Sequence, residues 1–432
     1  MIGASTILLL VFIGLLVIGT PIAVSLGLAG VAAIAVGLDA ASLQMVGINT
    51  YASIAKYPLI AIPLFILTGM LFERSGVALR LVTLAQAIIG PRKGGLALVA
   101  ILVCLIMGGM SGSGPADAAA VATIMIPSMR RAGYPEAFSA SVIAASASTA
   151  ILIPPSIALI VYSIMVPGTD LRALFAAGLI PGLLAGAAVA IPTVWLSHRH
   201  NLGGAEASTR PPFWPSLRDA VPGLLAPVII LGGLRSGLFT PTEAAVVAVF
   251  YGLLVGVLLY RTLGPREIYA VLAESAETSA VVMVIIALAG LFAWAGSTLG
   301  AFDAAARTIL AISEQSGVVL LLVMALLLLT GMVLDGVSIY LISLPLLIPI
   351  AQSFQWNLTW FGVLMAMNIA IGQFTPPLAV NLMVTARVAG VPIESTSRWI
   401  VWMVLSMTMA LLLIIAFPGL ALWLPEALGF RI

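Results

Sequence analysis

The sequence predicts an all-α, polytopic membrane protein made of two inverted repeats, each with a re-entrant hairpin and a broken helix. Three observations lead to this fold class. Of the 432 residues, 62% are hydrophobic and 8% are charged, and the mean hydropathy is +1.21, whereas about 25% of the residues of a typical soluble domain are charged. Glycines and prolines recur at a fixed spacing along the chain, and basic pairs occupy loops of the first half only.

The composition excludes several classes of protein. So few charges cannot cover an ordinary globular enzyme, and 18 Lys and Arg against 16 Asp and Glu, scattered along the chain, do not form a nucleic-acid-binding surface. The single cysteine, Cys104, excludes a disulfide framework and a cysteine metal site. His198 and His200 lie together in a polar stretch, so no haem is expected. We expect no soluble domain and no nucleotide site. A partner protein must therefore supply any step that uses a nucleotide or that captures a substrate outside the membrane.

The helix-breaking residues repeat after 222 positions. Because Gly and Pro set breaks in the backbone, their recurrence favours an internal duplication over coincidence among 41 Gly and 26 Pro. Near the start the offset is 220. We predict a first repeat at 1–196, a linker at 197–219 and a second repeat at 220–432. The matches are Thr20-Pro21 and Thr240-Pro241, Gly95 and Gly317, Gly109-Met110 and Gly331-Met332, Pro127 and Pro349, Pro154-Pro155 and Pro376-Pro377, and Gly168 and Gly390.

The charges of the loops predict that the second repeat is inverted. Arg92-Lys93 and Arg130-Arg131 have as counterparts Glu314-Gln315 and Gln352-Ser353, which contain no basic residue. Because basic loops remain in the cytoplasm, equivalent loops lie on opposite sides of the membrane. An odd number of spans in each repeat then places both termini in the periplasm and the 197–219 linker in the cytoplasm.

Segments 94–129 and 317–350 are predicted to be re-entrant hairpins. The first has apolar arms at 94–107 and 116–129 with 14 residues each, about 21 Å of helix against a hydrocarbon core of about 30 Å. A glycine-rich tip at 108–115 separates the arms, and both flanks are basic. The chain therefore enters from the cytoplasm and turns near the midplane, and the second hairpin enters from the other side.

A long helix with a double proline follows each hairpin. Segments 136–166 and 358–388 are interrupted at Pro154-Pro155 and Pro376-Pro377. Consecutive prolines leave carbonyl groups unpaired, which is tolerated at membrane depth only beside protein or a water-filled cavity. Hairpin tips that face broken helices at the midplane are the construction of secondary transporters, in which unwound carbonyls coordinate sodium.

We expect two pseudo-symmetric sodium sites, each made of one hairpin tip and one helix break. A carboxylate at Asp335 would be costly at membrane depth and is therefore a candidate ligand. The alternative for the tip serines and for Asp335 is that they cap the following helix, and for Asp117 capping is the favoured interpretation. The first site combines Ser111, Gly112, Ser113 and Gly114 with Thr149, Ile153 and Pro154, and the second combines Gly331, Asp335 and Gly336 with Gly372, Thr375 and Pro376.

Four polar residues near the breaks are candidates for substrate binding. Ser113 lies in the first tip, and Ser156, Asn368 and Asn381 lie on the broken helices. Asn381 follows its double proline by one turn, whereas its counterpart in the first repeat, Leu159, is apolar. This asymmetry favours a single substrate bound off the repeat axis.

At these motifs the sequence resembles the large membrane subunit of tripartite ATP-independent periplasmic (TRAP) transporters. The resemblance covers the whole chain and rests on the tract Gly-Gly-Met-Ser-Gly-Ser-Gly-Pro-Ala-Asp from Gly108, on Pro154-Pro155-Ser156, on Thr240-Pro241-Thr242-Glu243 and on Thr375-Pro376-Pro377. It implies a sodium-driven importer of a small organic acid, such as a dicarboxylate, a sialic acid or a sugar acid. It also implies an elevator movement within the ion-transporter superfamily, and a location in the bacterial inner membrane.

The resemblance implies two protein partners as well. One is a small four-span membrane subunit, which we expect as a separate chain because this one begins at the first repeat. The other is a soluble periplasmic binding protein that delivers the substrate.

Other functions fit parts of the sequence. A stand-alone sodium–dicarboxylate carrier of the same superfamily would share the repeats and hairpins. An intramembrane serine protease would use Ser111 in its Gly-x-Ser-Gly pattern, but it needs a base beside the serine, and both histidines lie in the polar linker. A passive channel would not explain two oppositely inserted hairpins.

Overall fold

A computed structural model describes residues 3–38, 40–203, 210–334, 336–377 and 379–430. Within these residues the chain is helical and contains no β-strand. The helices are α1 Ala4–Val17, α2 Ile22–Gly37, α3 Gln44–Ile54, α4 Ala61–Arg74, α5 Val77–Ile89, α6 Gly95–Ser111, α7 Gly114–Arg131, α8 Glu136–Ala147, α9 Ile157–Met165, α10 Leu171–Arg199, α11 Phe213–Arg235, α12 Pro241–Leu253, α13 Pro265–Thr298, α14 Ala301–Leu310, α15 Ser316–Gly331, α16 Gly336–Ser353, α17 Leu358–Gly372, α18 Val380–Ala389, α19 Ser397–Ala416 and α20 Gly419–Ala427.

Several of these helices can span a bilayer. In the described part of the chain, seven helical segments are long and apolar enough to cross a membrane, which confirms the prediction of a polytopic all-α membrane protein. Helices α1 and α2 are apolar but shorter, with 14 and 16 residues. The seven segments are Tyr57–Arg74, Leu171–Arg199, Phe213–Arg235, Pro241–Leu259, Pro265–Thr298, Gly336–Ser353 and Ile393–Ala416.

The order of helices is the same in the two halves of the chain. Helices α1, α2, α3–α4 and α5 precede the first hairpin, as α11, α12, α13 and α14 precede the second. A broken helix and a long helix follow each hairpin. This order agrees with an internal duplication, although the limits 1–196 and 220–432 stay a prediction. Helices α10 and α11 extend into the predicted 197–219 linker, to Arg199 and from Phe213.

Contacts at the helix ends show that the two hairpins open toward opposite faces. On one face, Arg130 at the end of α7 donates to the carbonyl of Ala389 at the end of α18, at 3.3 Å. On the other face, the Trp356 indole joins the two ends of the second hairpin by donating to Ser316 Oγ at 2.7 Å. There the Tyr162 hydroxyl also links the end of α9 to the start of α17. The broken helices are therefore antiparallel, as inversion requires.

The helices pack in two groups. The outer group comprises α1–α5 and α11–α14, in which α13 packs against α2, α3 and α4, while α11 packs against α5. Arg74 of α4 donates to both carboxylate oxygens of Glu274 on α13, at 2.6 and 2.7 Å. The hairpin group comprises α6–α10 and α15–α20, in which α8 packs against α7 and α18, and α10 packs against α17 and α19. Helices α4 and α13 meet the hairpins at the boundary between the groups.

Three glycines of α10, spaced four residues apart, position the first broken helix. A Cβ atom on Gly178 would lie 2.4 Å from the carbonyl oxygen of Leu152, and one on Gly182 would lie 2.8 Å from Ile153 Cγ1. A Cβ atom on Gly186 would lie 2.6 Å from Leu105 of α6. Small residues at this spacing let membrane helices approach closely. The break and the first hairpin therefore rest on one face of α10.

We predict that cysteines introduced at residues 93 and 314 face opposite sides of the membrane. Both Lys93 and Glu314 are exposed, and they lie before the two hairpins. In a Cys104→Ala background, Lys93→Cys and Glu314→Cys are each labelled with an impermeant maleimide in right-side-out and inside-out vesicles. We expect Lys93→Cys to react in inside-out vesicles and Glu314→Cys in right-side-out vesicles. Labelling of both from one side would contradict the inverted arrangement.

Candidate functional site

The first hairpin turns through only two residues, Gly112 and Ser113. Its arms have 17 and 18 residues, longer than the 14 predicted, because the glycine-rich tract stays helical up to Ser111. Gly112 adopts φ +60°, which favours glycine. The Ser111 hydroxyl donates to Asp117 Oδ1 at 2.7 Å and accepts the Ser113 N–H at 3.2 Å. Asp117, in the first turn of α7, therefore fastens the turn through Ser111, and its side chain makes no capping bond to the backbone N–H groups of the helix.

The first tip lies against the first helix break. A Cβ atom on Gly112 would lie 2.3 Å from the carbonyl oxygen of Pro155, and one on Gly108 would lie 2.8 Å from the Cα of Ala150. The two backbones are thus in direct contact, as the first expected sodium site requires. Thr149 lies in the 3-10 turn just after α8 and is fully buried, and its hydroxyl donates to the carbonyl of Ser146 in the last turn of α8.

The second tip lies against the second break in the same way. A Cβ atom on Gly372 would lie 2.6 Å from both the Cα and the carbonyl carbon of Gly331. The Ala379 N–H, just after the break, donates to the carbonyl of Met332 in the tip at 3.1 Å. The Thr375 hydroxyl donates to the carbonyl of Ile371 at 2.6 Å. Asp335, expected as a sodium ligand, lies outside the described residues.

Both tips line one cavity of about 300 Å³. Residues at equivalent positions of the two repeats, 222 residues apart, both line this cavity. The pseudo-symmetry axis therefore passes through it. The described pairs are Gly114 with Gly336, Pro115 with Val337, and Ile151 with Gln373. The other lining residues include Ser111, Gly112 and Ser113 of the first tip, Ile157 and Ala158 of α9, Ile66, Gly69 and Met70 of α4, and Thr278 and Val282 of α13.

Gln373 makes the cavity asymmetric. Its side chain is 5% exposed, and its Oε1 atom has no hydrogen-bond partner. A Cβ atom on Gly114 would lie 2.8 Å from that oxygen, and one on Gly336 would lie 3.5 Å from Gln373 Nε2, so the amide lies between the two hairpins. Our sequence reasoning did not select Gln373. The signal was present in the repeat, because its counterpart Ile151 is apolar.

The four candidate substrate residues have different surroundings. Ser113 lines the cavity. Asn381 is fully buried beside Gly114, with an unpartnered Oδ1. Ser156 is the N-cap of α9 and accepts the Leu159 N–H at 3.4 Å. Asn368 donates to the carbonyl of Met324 at 2.8 Å. Asn381, Ser156 and Asn368 are not among the described residues that line the cavity.

The cavity is suited to an anion although none of its described lining residues is charged. Helices α7 and α16 both begin at its wall, at Gly114 and Gly336, and helix N-termini carry a partial positive charge with free N–H groups. The described residues contain no group of three or more His, Cys, Asp or Glu that could hold a metal ion. The described oxygen atoms at the tips belong to carbonyl and hydroxyl groups and to the buried Asp117 carboxylate, which lies behind Ser111. Oxygen ligands of this kind suit a hard monovalent cation.

Comparison with known proteins identifies the family. The sequence model of the DctM component of tripartite ATP-independent periplasmic transporters matches residues 9–420. The chain belongs to this family. Relatives include the C4-dicarboxylate large permease DctM of Pseudomonas aeruginosa, 37% identical over 94% of each chain. The sialic acid large permease SiaM of Vibrio cholerae is 34% identical over 96% of this chain and 97% of that one.

A longer relative and a solved structure are also similar to this chain. The isethionate permease DctMQ of Oleidesulfovibrio alaskensis is 34% identical over 94% of this chain, which spans 64% of that longer protein. The crystal structure of the YdaH transporter of Alcanivorax borkumensis shares the fold, with a TM-score of 0.57, 16% identity and 90% coverage of each chain. The DctM relatives are transporter permeases, so the prediction that this protein is not an enzyme is confirmed.

We predict that Gly372→Ala in this DctM-family permease disrupts the contact between the second tip and the break. The added methyl group would overlap the backbone of Gly331, and overpacking of this kind costs about 1–3 kcal/mol. We expect a lower midpoint of thermal unfolding in detergent and a severe loss of transport. Gly317→Ala in α15 is the matched control, because open space surrounds Gly317. Equal behaviour of the two variants would contradict the packing argument.

Proposed function

We propose that this permease imports a small organic acid through the central cavity, driven by a sodium gradient. The observation that carries the proposal is that both hairpin tips line one cavity at the boundary between the outer group and the hairpin group. Broken helices and hairpin tips that converge near the midplane form the substrate and ion sites of secondary transporters.

An organic acid fits the chemistry of this cavity. Two helix N-termini at its wall favour a carboxylate, and the buried amide of Gln373 offers N–H groups and an unpartnered oxygen to a polar substituent. Relatives named for C4-dicarboxylate and sialic acid transport agree with this class of substrate. The cavity volume of about 300 Å³ is at the small end of the range for small-molecule sites.

The two contacts between tip and break support the proposed sodium coupling. At each contact the chain leaves the α-helix beside a double proline. Carbonyl groups in such breaks lack helical partners, and these are the groups that coordinate sodium in transporters of this construction. We assign one sodium ion to each tip, with the ligands expected from the sequence.

The position of the cavity supports the proposed elevator movement. One wall belongs to the hairpin group, and the opposite wall, formed by Ile66, Met70 and Val282, belongs to the outer group. If the hairpin group slides along this apolar wall, the cavity opens to the periplasm at one end of the movement and to the cytoplasm at the other. The small four-span subunit would then hold the outer group still in the inner membrane, and the periplasmic binding protein would deliver the substrate.

Uptake into proteoliposomes tests this function. The permease is reconstituted with the small subunit and the binding protein of its own transporter, and uptake of labelled organic acids is measured. We expect uptake that requires both an inward sodium gradient and the binding protein. Uptake without the binding protein would favour the stand-alone carrier, and uptake indifferent to sodium would overturn the coupling.

We predict that Gln373→Leu weakens transport at the substrate-binding step. Leucine keeps the volume but removes the amide, and the loss of one or two buried hydrogen bonds to the substrate raises KM about tenfold. Ile151→Leu at the symmetry-related position is the matched control and should leave KM within about twofold. Initial uptake rates against substrate concentration separate the two outcomes. An unchanged KM in Gln373→Leu would remove this residue from the site.

A further inference from the structure

A second cavity, of about 310 Å³, lies at the open end of the first hairpin. It is separate from the central cavity and has no part in the proposed transport site. Its described walls come from three places: the end of α5 and the loop after it, the outer ends of α6 and α7, and the residues Gly203, Arg210 and Pro211. The residues used below are Arg92, Gly95, Leu96, Arg131, Tyr134 and Arg210.

Three arginines line this cavity, and none of its described lining residues is acidic. Arg210 uses two of its donors on the carbonyls of Ala87 and Ile88 at the end of α5, at 2.7 and 3.2 Å. A guanidinium group carries five N–H donors, so Arg210 keeps donors beyond these two bonds. Helix α6 begins at the cavity with Gly95 and Leu96, and its N-terminus adds to the positive potential.

A buried hydroxyl group also faces this cavity. Tyr134 is 3% exposed and lines the cavity. Its Oη atom faces the backbone N–H groups of Leu96 and Gly94 at the start of α6, and no acceptor takes its O–H. Gly203 closes over it, because a Cβ atom there would lie 2.3 Å from that oxygen. A buried O–H donor without an acceptor is costly. An acceptor in the cavity would satisfy it, and guanidinium groups select planar or tetrahedral oxyanions as that acceptor.

We propose that this cavity binds the phosphate group of an anionic phospholipid at the cytoplasmic surface. The surroundings favour a lipid, since Ile88 at the end of α5 is 49% exposed on a chain whose exposed apolar surface faces the bilayer. Basic pockets between membrane helices on the cytoplasmic side bind such headgroups. The bound phosphate joins the outer end of the first hairpin to α5 and to the chain after α10.

The test measures the thermal stability of the full-length permease in detergent with added phosphatidylglycerol, phosphatidylcholine or inorganic phosphate. We expect phosphatidylglycerol to raise the unfolding midpoint and phosphatidylcholine to have little effect. Arg92→Gln with Arg131→Gln should weaken the apparent affinity about tenfold for each arginine, and Tyr134→Phe should weaken it with little change in packing. Arg218→Gln, which changes an exposed arginine of α11 outside this cavity, should behave as the wild type.

The source of the phosphate group is read from the same experiment. Stabilisation by inorganic phosphate that competes with phosphatidylglycerol would assign the site to a free anion and overturn the lipid assignment. Equal stabilisation of all variants by phosphatidylglycerol would overturn the site itself. Bound lipid phosphorus in the purified protein is measured in parallel. It should fall in Tyr134→Phe and stay unchanged in Arg218→Gln, so the result does not depend on the folding of the double variant.

Discussion

The architecture depends on two backbone contacts that only glycine permits. Gly112 lies against the carbonyl of Pro155, and Gly331 lies against Gly372, so each hairpin tip touches the break of its own repeat without a side chain between them. Backbone polar groups cannot be left unpaired in hydrocarbon, and each contact lets one irregular segment cover the other. The tips and breaks are therefore mutually dependent, and the rest of the hairpin group, including the glycine face of α10, holds them in place.

Duplication places equivalent residues around one axis, and a few substitutions then make the site on that axis specific. Gly114 and Gly336 preserve the symmetry of the backbone, whereas Ile151 and Gln373 break the symmetry of the chemistry. If both repeats carried an amide at this position, the cavity would present the same groups to both ends of the substrate. Such a cavity could not distinguish the two ends of an asymmetric substrate. One amide and one isoleucine instead give the cavity a polar and an apolar side.

Much of this arrangement could be predicted because Gly and Pro act locally. The hairpins, the broken helices and their inversion follow from backbone breaks and from basic loops, and the contacts at Trp356 and Arg130 agree with them. The tip was predicted to span 108–115 but comprises only Gly112 and Ser113. The prediction was wrong because Gly108 and Gly109 pack against the break while remaining in α6. Gln373 could not be selected on residue type, since its role depends on burial between two hairpins that are remote in sequence. Ser156 has the right location in the chain, but its hydroxyl caps α9.

The described lining of the central cavity contains no basic side chain, which has a physical consequence for the proposed movement. A fixed arginine would bind a carboxylate strongly, but it would have to cross the apolar boundary whenever the empty site returned, and a charge at membrane depth is costly. Helix N-termini supply about half a positive charge each without placing a fixed cation in the moving group. The anion would then enter together with sodium ions that offset its charge, so both the loaded and the empty site move at low electrostatic cost. Arginines are instead placed at the open end of the first hairpin, where the headgroup region can solvate them.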